Sequence, residues 1–215
     1  MPGGMNRLAV FDLDGTLLDT APDIRVAVNR QLAPHGLAPL SLAEVIPMIG
    51  DGARMLCERA FAARGRAVPE GVVEAFTADP DLEGGAMTRL FPGIPALLDE
   101  LLAEGWRLAV CTNKPVLPAR AVLGHFGVSE KFLAVGGGDS FPTRKPDPAH
   151  LLATMGLAGG GRAVMIGDHA NDMLAARGAG IPAIFAGWGY GADHMALDNP
   201  VAADVAALRA LLYST

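Results

Sequence analysis

A short apolar run that ends at two aspartates is the feature that most constrains how this chain can fold. Residues 8–11 are apolar, and the positions that follow include Asp12, Asp14, Gly15 and Thr16. We interpret the run as a buried strand that holds Asp12 at its carboxyl end, which is the edge where open parallel sheets form ligand sites. Gly15 permits a sharp turn and the close approach of a ligand. We expect Thr16 to cap a helix and to direct its amide at an anion.

Two carboxylates at this spacing suit phosphoryl transfer. One carboxylate can attack phosphorus and form an aspartyl-phosphate, and the second can protonate the leaving oxygen and later take a proton from water. Because a carboxylate and a phosphate dianion repel each other, this reaction calls for a divalent cation, usually Mg²⁺, which takes oxygen ligands. On their own, Asp12 and Asp14 are equally compatible with a solvated Asp-Gly turn.

The composition predicts a folded protein with a sizeable core. Of the 215 residues, 51% are hydrophobic and 19% are charged, which leaves room for one large domain or for a core with a smaller insert. The net charge of -6 does not favour a broad nucleic-acid-binding face.

Cysteine usage and hydropathy favour a cytoplasmic protein. Cys57 and Cys111 are far apart and show no CxxC spacing, so we expect neither a disulfide framework nor a zinc site. This usage fits a reducing compartment. The start of the chain has no long apolar segment before Asp12, so no signal peptide is expected. No run approaches the roughly 18 uncharged apolar residues of a membrane span.

The segment from residue 20 to residue 90 is predicted to be helical throughout. Ser41 and Glu44 have the spacing of a capping box, which indicates a helix start. Residues 49–52 interrupt the helical pattern with two glycines, after which the pattern resumes. Because no convincing alternating strand occurs here, we interpret residues 18–90 as a small all-helical cap inserted after the first strand.

The second half of the chain alternates between apolar strands and amphipathic helices. This alternation is typical of a doubly wound parallel sheet, so residues 1–17 and 91–215 are predicted to form a Rossmann-like α/β core. The predicted strands cover residues 106–111, 132–135, 163–166 and 182–185. The predicted helices cover residues 94–103, 118–126, 148–155, 171–177 and 204–212.

Polar residues follow the strands of this half or begin the helices beyond them. Thr112 and Asn113 offer a hydroxyl and an amide to a transferring phosphoryl group. Lys145 stands beside two prolines at a helix start, where its ammonium could neutralise a phosphate or an attacking aspartate. Asp168 follows a strand, and Asp172 lies one helical turn later on the same face, which suggests a metal site with a supporting partner. Each pattern alone also fits a solvated loop or a helix cap.

The predicted parallel sheet favours a shared site over separate solvated loops or helix caps. The carboxyl ends of parallel strands share one edge of the sheet, so the polar residues that follow them can converge on Asp12 and Asp14. This convergence favours a catalytic pair over a solvated turn. Gly167 is expected to support the site, and His169 is expected to be a polar loop residue close to it.

Four motifs together resemble those of the haloacid dehalogenase superfamily of phosphohydrolases. They are FDLDGT at residues 11–16, CTNK at 111–114, the lysine of RKPDP at 144–148, and GDHAND at 167–172. The four motifs follow one another along the chain in the same order as in the family, and the helical insert is similar to the family's cap. The closer resemblance is to phosphoglycolate phosphatase-like members, on the segments DGTLLDTAPDI, IGDGA, LFPGIPALLDELLAEGW, RKPDPAHLL, GDHANDMLAARGAG and GWGYG.

The resemblance implies roles for the acidic residues. Asp12 would be the nucleophile and a ligand of Mg²⁺. Asp14 would be the general acid/base and would give its carbonyl to the metal. Asp168 would ligate Mg²⁺, Asp172 would support it or the catalytic lysine, and Thr16 would support the site. Asp14 also argues against dehalogenation, because dehalogenases of the superfamily lack the second aspartate.

The resemblance also implies how substrate is bound. Thr112 and Lys145 would bind the phosphoryl group, with Asn113 beside them. Specificity would come from a cap that closes over the site. The expected substrate-facing residues of the cap are Gly50, Asp51, Gly52 and Arg54. Arg54 could contact a substrate carboxylate, or it could be an ordinary exposed helix residue.

The predicted function is therefore Mg²⁺-dependent hydrolysis of a small phosphomonoester, foremost 2-phosphoglycolate, through an aspartyl-phosphate. Within the superfamily, the alternatives are another sugar or nucleotide phosphatase, a pyrophosphatase, or a phosphosugar mutase. An alternative of a different class is a non-catalytic module that binds a phosphorylated metabolite. The expected partner is a small phosphorylated metabolite and neither nucleic acid nor a membrane, and the expected state is a monomer or a homodimer.

Overall fold

Strands and helices alternate along most of the chain. The computed structural model describes residues 7–213. Its strands are β1 (Arg7–Phe11), β2 (Leu18–Asp19), β3 (Arg89–Leu90), β4 (Arg107–Cys111), β5 (Ala134–Gly136), β6 (Arg162–Gly167), β7 (Ala183–Ala186) and β8 (Val201–Ala202). Its α-helices are α1 (Ala21–Leu32), α2 (Leu42–Val45), α3 (Ala53–Ala62), α4 (Val72–Thr77), α5 (Ile94–Ala103), α6 (Val116–His125), α7 (Pro148–Leu157), α8 (Ala170–Ala179) and α9 (Val205–Leu212).

A six-stranded sheet with the strand order β5-β4-β1-β6-β7-β8 organises the core. Each neighbouring pair in it is parallel. Phe11, the last residue of β1, pairs with Val110 of β4 on one side and with Ile166 of β6 on the other. The predicted doubly wound parallel α/β fold is confirmed, and β1 lies between the two strands whose ends carry Thr112 and Asp168.

The two faces of the sheet are covered by separate hydrophobic layers. Successive side chains of a strand point to opposite faces. Accordingly, Ala9 and Phe11 pack with residues of α5, α6 and α9, whereas Leu8 and Val10 pack with residues of α7 and α8. Because all four of these side chains are fully buried, β1 is fixed from both sides and gives Asp12 a rigid support.

The helices α1 to α4 pack around a hydrophobic cluster of their own. Its buried members lie within residues 21–82 and include the aromatic side chains of Phe61 and Phe76. Ser41 and Glu44 form the expected capping box at the start of α2. The division of the chain at residues 18–90 into cap and core remains a prediction.

The expectation of helix throughout this segment is wrong near its ends. Leu18–Asp19 and Arg89–Leu90 pair as an antiparallel two-stranded ribbon. Strands of two residues are too short to show an alternating pattern in the sequence, which also explains why β8 is not predicted. Asp23 of α1 fixes the segment that leads into β3, because its carboxylate accepts hydrogen bonds from the N–H groups of Met87 and Thr88.

Thr16 does not cap a helix, contrary to expectation. Its N–H donates to the carbonyl of Leu13 within a turn, and the next helix begins at Ala21. Leu17 and Leu18 are fully buried in the core. The turn at residues 15–17 therefore leads into β2 and buries this apolar pair before α1 starts.

Cys57 and Cys111 are both buried and form no disulfide, as expected. In the described part of the chain, no helix is long and apolar enough to cross a membrane. The expectation that the chain has no signal peptide concerns a segment that begins with residues 1–6, which lie outside the described residues.

Candidate active site

The polar residues predicted from the strand ends meet at one edge of the sheet. Asp12, Thr112 and Asp168 directly follow β1, β4 and β6, and all three are buried. Lys145 Nζ lies 2.9 Å from Asp12 Oδ1. Carboxylate oxygens of Asp12, Asp168 and Asp172 lie within 4.8 Å of one another. Residues that are distant in the sequence thus form one polar cluster.

Lys145 is fixed by oxygen atoms on several sides. Its Nζ donates to the carbonyl of Cys111 at 2.6 Å and to the carboxylate of Asp172, and it forms an ion pair with Asp12. Burial alone would lower the pKa of Lys145, but the charges of Asp12 and Asp172 outweigh burial and raise it. The ammonium is therefore charged and held beside Asp12.

His150 positions the backbone of Lys145. The Lys145 N–H donates to His150 Nδ1 at 3.2 Å, and His150 Nε2 lies 3.0 Å from the carbonyl of Gly137. Because Nδ1 accepts, Nε2 carries the proton and donates to Gly137. Burial lowers the pKa of His150 to about 4, with repulsion from Lys145 as a further cause. The sequence gives no sign of this role, because Gly137 comes from a different segment of the fold.

The three clustered carboxylates carry more negative charge than Lys145 can balance. Burial, followed by the charges of Asp12 and Asp172, raises the pKa of Asp168 to about 8. Burial also raises the pKa of Asp172 to about 7, although Lys145 acts in the opposite direction. A cation among these oxygens would favour the ionised carboxylates, and a set of hard oxygen donors suits Mg²⁺. The residues present therefore fit the predicted metal.

Small residues allow these carboxylates to pack closely. Gly15 has a φ of +87°, and a Cβ on it would lie 2.2 Å from Asp168 Oδ2. A Cβ on Gly167 would lie 2.2 Å from Asp172 Oδ2. Thr16 donates through Oγ1 to Asp168 Oδ1 at 2.9 Å. Thr16 and Gly167 thus lie where they can support the cluster.

The loop after β7 completes the surroundings of Asp168. The N–H of Tyr190 donates to Asp168 Oδ2 at 2.7 Å. The Tyr190 hydroxyl donates to Asp19 Oδ1 at 2.7 Å and accepts from the N–H of Ala21 at 2.8 Å. Tyr190 therefore connects the carboxylate cluster to β2 and to the start of α1. It has no role in the sequence prediction, although its segment GWGYG is part of the family resemblance.

The side chain of Asp14 lies apart from the carboxylate cluster. Its Oδ1 accepts from Thr20 Oγ1 at 2.7 Å and from Lys114 Nζ at 3.3 Å. Asp14 also lines the cavity described below, so its carboxyl can approach a leaving group. Its predicted contact with the metal is through the backbone carbonyl and remains a prediction.

Thr112 and Asn113 differ in what their side chains can bind. Thr112 Oγ1 accepts from the N–H of Lys114 at 3.2 Å, which leaves the hydroxyl proton for an oxygen in the cavity. Asn113 Nδ2 donates to the carbonyls of Gly50 and Lys145, each at 2.9 Å. Asn113 therefore connects the loop at Gly50 to the backbone of Lys145, whereas the predicted contact of Thr112 with a phosphoryl group remains a prediction.

The glycine-rich loop before α3 is docked on the core. Asn171 donates to the carbonyl of Gly50 at 3.3 Å and to Asp51 Oδ1 at 2.7 Å. Asp51 also pairs with Arg59, so its carboxylate fastens the loop. His169 lies against Gly50, and its Nδ1 accepts from the N–H of Asn171 at 3.2 Å, which caps α8.

A cavity of about 50 Å³ lies between the sheet edge and the helices α1, α3 and α4. From the core it is lined by Asp12, Asp14 and Thr112, and from the loop before α3 by Gly50 and Gly52. The other lining residues are Ile24, Ile49, Ala53, Leu56, Phe76, Thr77, Leu82, Asn113, Lys114, Pro115 and Pro118.

Arg54 is not among the lining residues and is exposed. Ala53 and Leu56, three positions apart on α3, face the cavity. Arg54 is one step from Ala53 and is therefore rotated by about 100° around the helix axis. The structure does not place Arg54 for the predicted contact with a substrate carboxylate.

Comparison with known families identifies the class of protein that carries this fold and site. Residues 7–180 match the haloacid dehalogenase-like hydrolases. The match spans the whole of the polar cluster described above and most of the sheet. The chain belongs to this family of hydrolases.

Individual relatives narrow the class further. The phosphoglycolate phosphatase of Cereibacter sphaeroides (strain ATCC 17029 / ATH 2.4.9) is 45% identical over 186 residues, which cover 84% of this chain and 83% of the relative. The phosphoglycolate phosphatase of Agrobacterium fabrum (strain C58 / ATCC 33970) is 42% identical over 192 residues, which cover 86% of this chain and 82% of the relative. The chain is thus a phosphatase similar to the phosphoglycolate phosphatases.

Solved structures share the same architecture over nearly the whole chain. A predicted phosphoglycolate phosphatase from Haemophilus somnus 129pt superposes with a TM-score of 0.84 at 28% identity, covering 98% of this chain and 99% of that one. CbbY from Rhodobacter sphaeroides, in complex with phosphate, superposes with a TM-score of 0.77 at 25% identity, covering 96% of this chain and 100% of that one.

Proposed function

We propose that this phosphatase hydrolyses 2-phosphoglycolate in a Mg²⁺-dependent reaction that passes through an aspartyl-phosphate on Asp12. The observation that carries the proposal is the position of Asp12. Its carboxylate lies beside the fixed ammonium of Lys145 and lines a cavity that also contains Asp14 and Thr112. A nucleophile, a second carboxyl group and a hydroxyl donor therefore line one small space, and a fixed cation lies beside the nucleophile.

In the first step, a carboxylate oxygen of Asp12 attacks phosphorus, and the bond from phosphorus to the bridging oxygen breaks. Lys145 and Thr112 bind the phosphoryl oxygens and offset the repulsion between the two anions. Asp14 donates a proton to the bridging oxygen, so that the leaving alcohol departs uncharged.

In the second step, Asp14 takes a proton from a water molecule whose oxygen attacks the phosphorus of the aspartyl-phosphate. The bond between phosphorus and Asp12 breaks, inorganic phosphate leaves, and the Asp12 carboxylate is restored. When bound, Mg²⁺ would be held by Asp12, Asp168 and the carbonyl of Asp14, and it would neutralise negative charge on the phosphoryl group.

The lining of the cavity and the relatives support the choice of substrate. Asp12, Asp14 and Thr112 line the cavity beside apolar side chains, so a phosphomonoester can reach the three polar groups there. The phosphoglycolate phosphatases that are 42–45% identical to this chain support 2-phosphoglycolate in particular. The cytoplasmic location and the monomeric or homodimeric state remain predictions.

The proposal is tested by phosphate release from a panel of 2-phosphoglycolate, a sugar phosphate, a nucleotide and pyrophosphate. We expect stoichiometric inorganic phosphate from 2-phosphoglycolate with Mg²⁺ and none with EDTA. Asp12→Asn should abolish turnover, and Asp14→Asn should lower kcat by roughly 10²- to 10⁴-fold, as expected for the loss of a general acid/base.

Other outcomes would identify the alternatives. An isomerised sugar phosphate without release of phosphate would indicate a mutase, and turnover of pyrophosphate alone would indicate a pyrophosphatase. Full activity of Asp12→Asn would exclude Asp12 as the nucleophile. Binding of a phosphorylated metabolite without turnover of any substrate would indicate a binding module.

A further inference from the structure

Lys114 stands at the point where the catalytic core meets the cavity. It follows Thr112 and Asn113 after β4, and its side chain is only 6% exposed. Its Nζ lies 3.3 Å from Asp14 Oδ1, and the residue lines the cavity. A buried ammonium needs oxygen partners, because burying a charge without them is costly.

The charges around the cavity single out Lys114. Among the residues that the structure describes, Lys114 is the only cationic one in the cavity lining, beside the acidic Asp12 and Asp14. The wall contributed by the insert is largely apolar, and its members include Ile24, Ile49, Leu56, Phe76 and Leu82. An anionic group on the substrate that points away from the phosphoryl site therefore has one cation to meet.

The position of Lys114 relative to Asp14 fixes which part of the substrate it can reach. In the proposed mechanism Asp14 donates its proton to the bridging oxygen. A cation 3.3 Å from the Asp14 carboxylate therefore lies next to the atoms attached to that oxygen. An ammonium has three donors, and Asp14 is its one hydrogen-bond acceptor within residues 7–213. The other donors can bind a carboxylate that is one carbon away from the bridging oxygen.

We propose that Lys114 is the residue that recognises the substrate carboxylate and so selects phosphomonoesters of 2-hydroxy acids. The inference rests on the proposed function and names the specificity-determining residue of that same site. It also replaces Arg54, which lies outside the cavity lining, as the candidate partner of the carboxylate.

The test compares two substrates that differ only in the carboxylate. 2-Phosphoglycolate carries it, and ethyl phosphate has a methyl group in its place. Lys114→Met should lower kcat/KM for 2-phosphoglycolate by roughly 100-fold, as for the loss of a buried charge pair. The loss of kcat/KM for ethyl phosphate should be much smaller, because this substrate loses only the contribution of the ion pair between Lys114 and Asp14. Lys114→Arg should restore part of the preference for 2-phosphoglycolate, and Lys131→Met provides the matched control for loss of a lysine elsewhere.

Three results would overturn the proposal. If Lys114→Met lowers kcat for both substrates by the same factor, Lys114 positions Asp14 and does not recognise the substrate carboxylate. If Lys114→Met affects neither substrate, or if the wild-type protein turns over both substrates without preferring 2-phosphoglycolate, Lys114 has no part in selection.

A binding measurement separates this proposal from the proposed activity. In the Asp12→Asn protein with Mg²⁺, calorimetry should show tighter binding of 2-phosphoglycolate than of ethyl phosphate, and Lys114→Met should remove the difference. If that difference appears while the wild-type protein turns over neither compound, the phosphatase proposal fails and the role of Lys114 stands. Equal binding of the two compounds overturns the role of Lys114 alone.

Discussion

The charge balance of the site depends on Lys145, which lies between two buried carboxylates. Lys145→Met removes the ammonium and leaves Asp12 and Asp172 without a counter-charge. Removing one partner of a buried ion pair costs about 3–5 kcal/mol, so we expect a loss of this order in the free energy of unfolding of the metal-free protein. Because Lys145 is the cation that we propose to bind the phosphoryl group, its loss should also lower kcat by roughly 10³-fold. Urea unfolding and steady-state kinetics measure the two effects.

A second substitution separates charge balance from loss of packing. Adding Asp172→Asn to Lys145→Met removes one of the unpaired charges, so the double variant should regain part of the lost stability but none of the lost kcat. Lys131→Met, which removes the partner of the exposed Asp99, should change either quantity little. If Lys145→Met were as stable as the wild-type protein, the free energy of unfolding would not depend on the charge balance of this site.

His150 should make the stability of the protein depend on pH. Its folded pKa of about 4 lies below its ordinary value of 6.5, so the unfolded chain binds more protons between these pH values. The stabilisation that the neutral ring provides is complete above about pH 6.5 and is lost as pH falls towards 4. The loss reaches at most about 1.4 kcal/mol per pH unit for one proton.

The measurement is urea unfolding of the wild-type protein and of His150→Gln between pH 4.5 and 7.5. We expect the wild-type protein to be more stable than His150→Gln at pH 7.5. This difference in stability between the two proteins should shrink on acidification. A difference that is constant across this range would show that the ring does not change its protonation on unfolding.

At the scale of elements, the loop before α3 is held to the start of α8 by Asn171. Asn171→Ala removes its hydrogen bonds to Gly50 and Asp51 while leaving the carboxylate cluster in place. At about 1 kcal/mol for each hydrogen bond, we expect kcat/KM for the phosphomonoester to fall roughly 5- to 30-fold, mainly through KM. Asn199→Ala removes a side-chain hydrogen bond to the carbonyl of Ala196 and is the matched control.

An unchanged KM in Asn171→Ala would show that docking of this loop does not contribute to substrate binding. A fall in kcat with an unchanged KM would instead indicate that Asn171 acts on the catalytic residues. The two kinetic parameters therefore distinguish closure of the insert from a direct effect on the chemistry.

At the scale of the whole molecule, the sheet explains which parts of the site are predictable from the sequence. An apolar run identifies each main strand, and the polar residue after it must lie at the shared carboxyl edge. This reasoning brings Asp12, Thr112 and Asp168 together without knowledge of any side-chain contact. Lys145 is proposed from its place beside two prolines at a helix start, although that segment alone fits a solvated turn better, and the family resemblance then favours its role in the site.

The remaining features depend on packing between segments, which no local pattern encodes. The neighbours of Asp14 include Lys114, and His150 contacts Gly137 across the fold. The direction of Arg54 depends on how α3 is rotated against the core. These contacts depend on the tertiary fold, so they cannot be predicted from the sequence of any one segment.

The metal-free and Mg²⁺-bound forms of the whole molecule should respond differently to pH. Without metal, the pKa of Asp168 is about 8 and that of Asp172 is about 7, both raised above the ordinary value mainly by burial. A carboxyl group with a raised folded pKa holds a proton that the unfolded chain has released. The metal-free protein therefore loses stability as pH rises towards 8. The proposed Mg²⁺ ion would bind the ionised carboxylates, so its binding would be favoured over the same range.

We accordingly expect the increase in Tm on addition of Mg²⁺ to be larger at pH 8 than at pH 6.5, as measured by scanning calorimetry at constant ionic strength. Asp168→Asn should remove most of this increase, because it takes away a predicted ligand, and should also reduce the loss of stability of the metal-free protein at high pH. Asp99→Asn, an exposed carboxylate paired with Lys131, should leave the Mg²⁺ effect intact. An increase in Tm that does not vary with pH would mean that the cluster is already ionised before the metal binds.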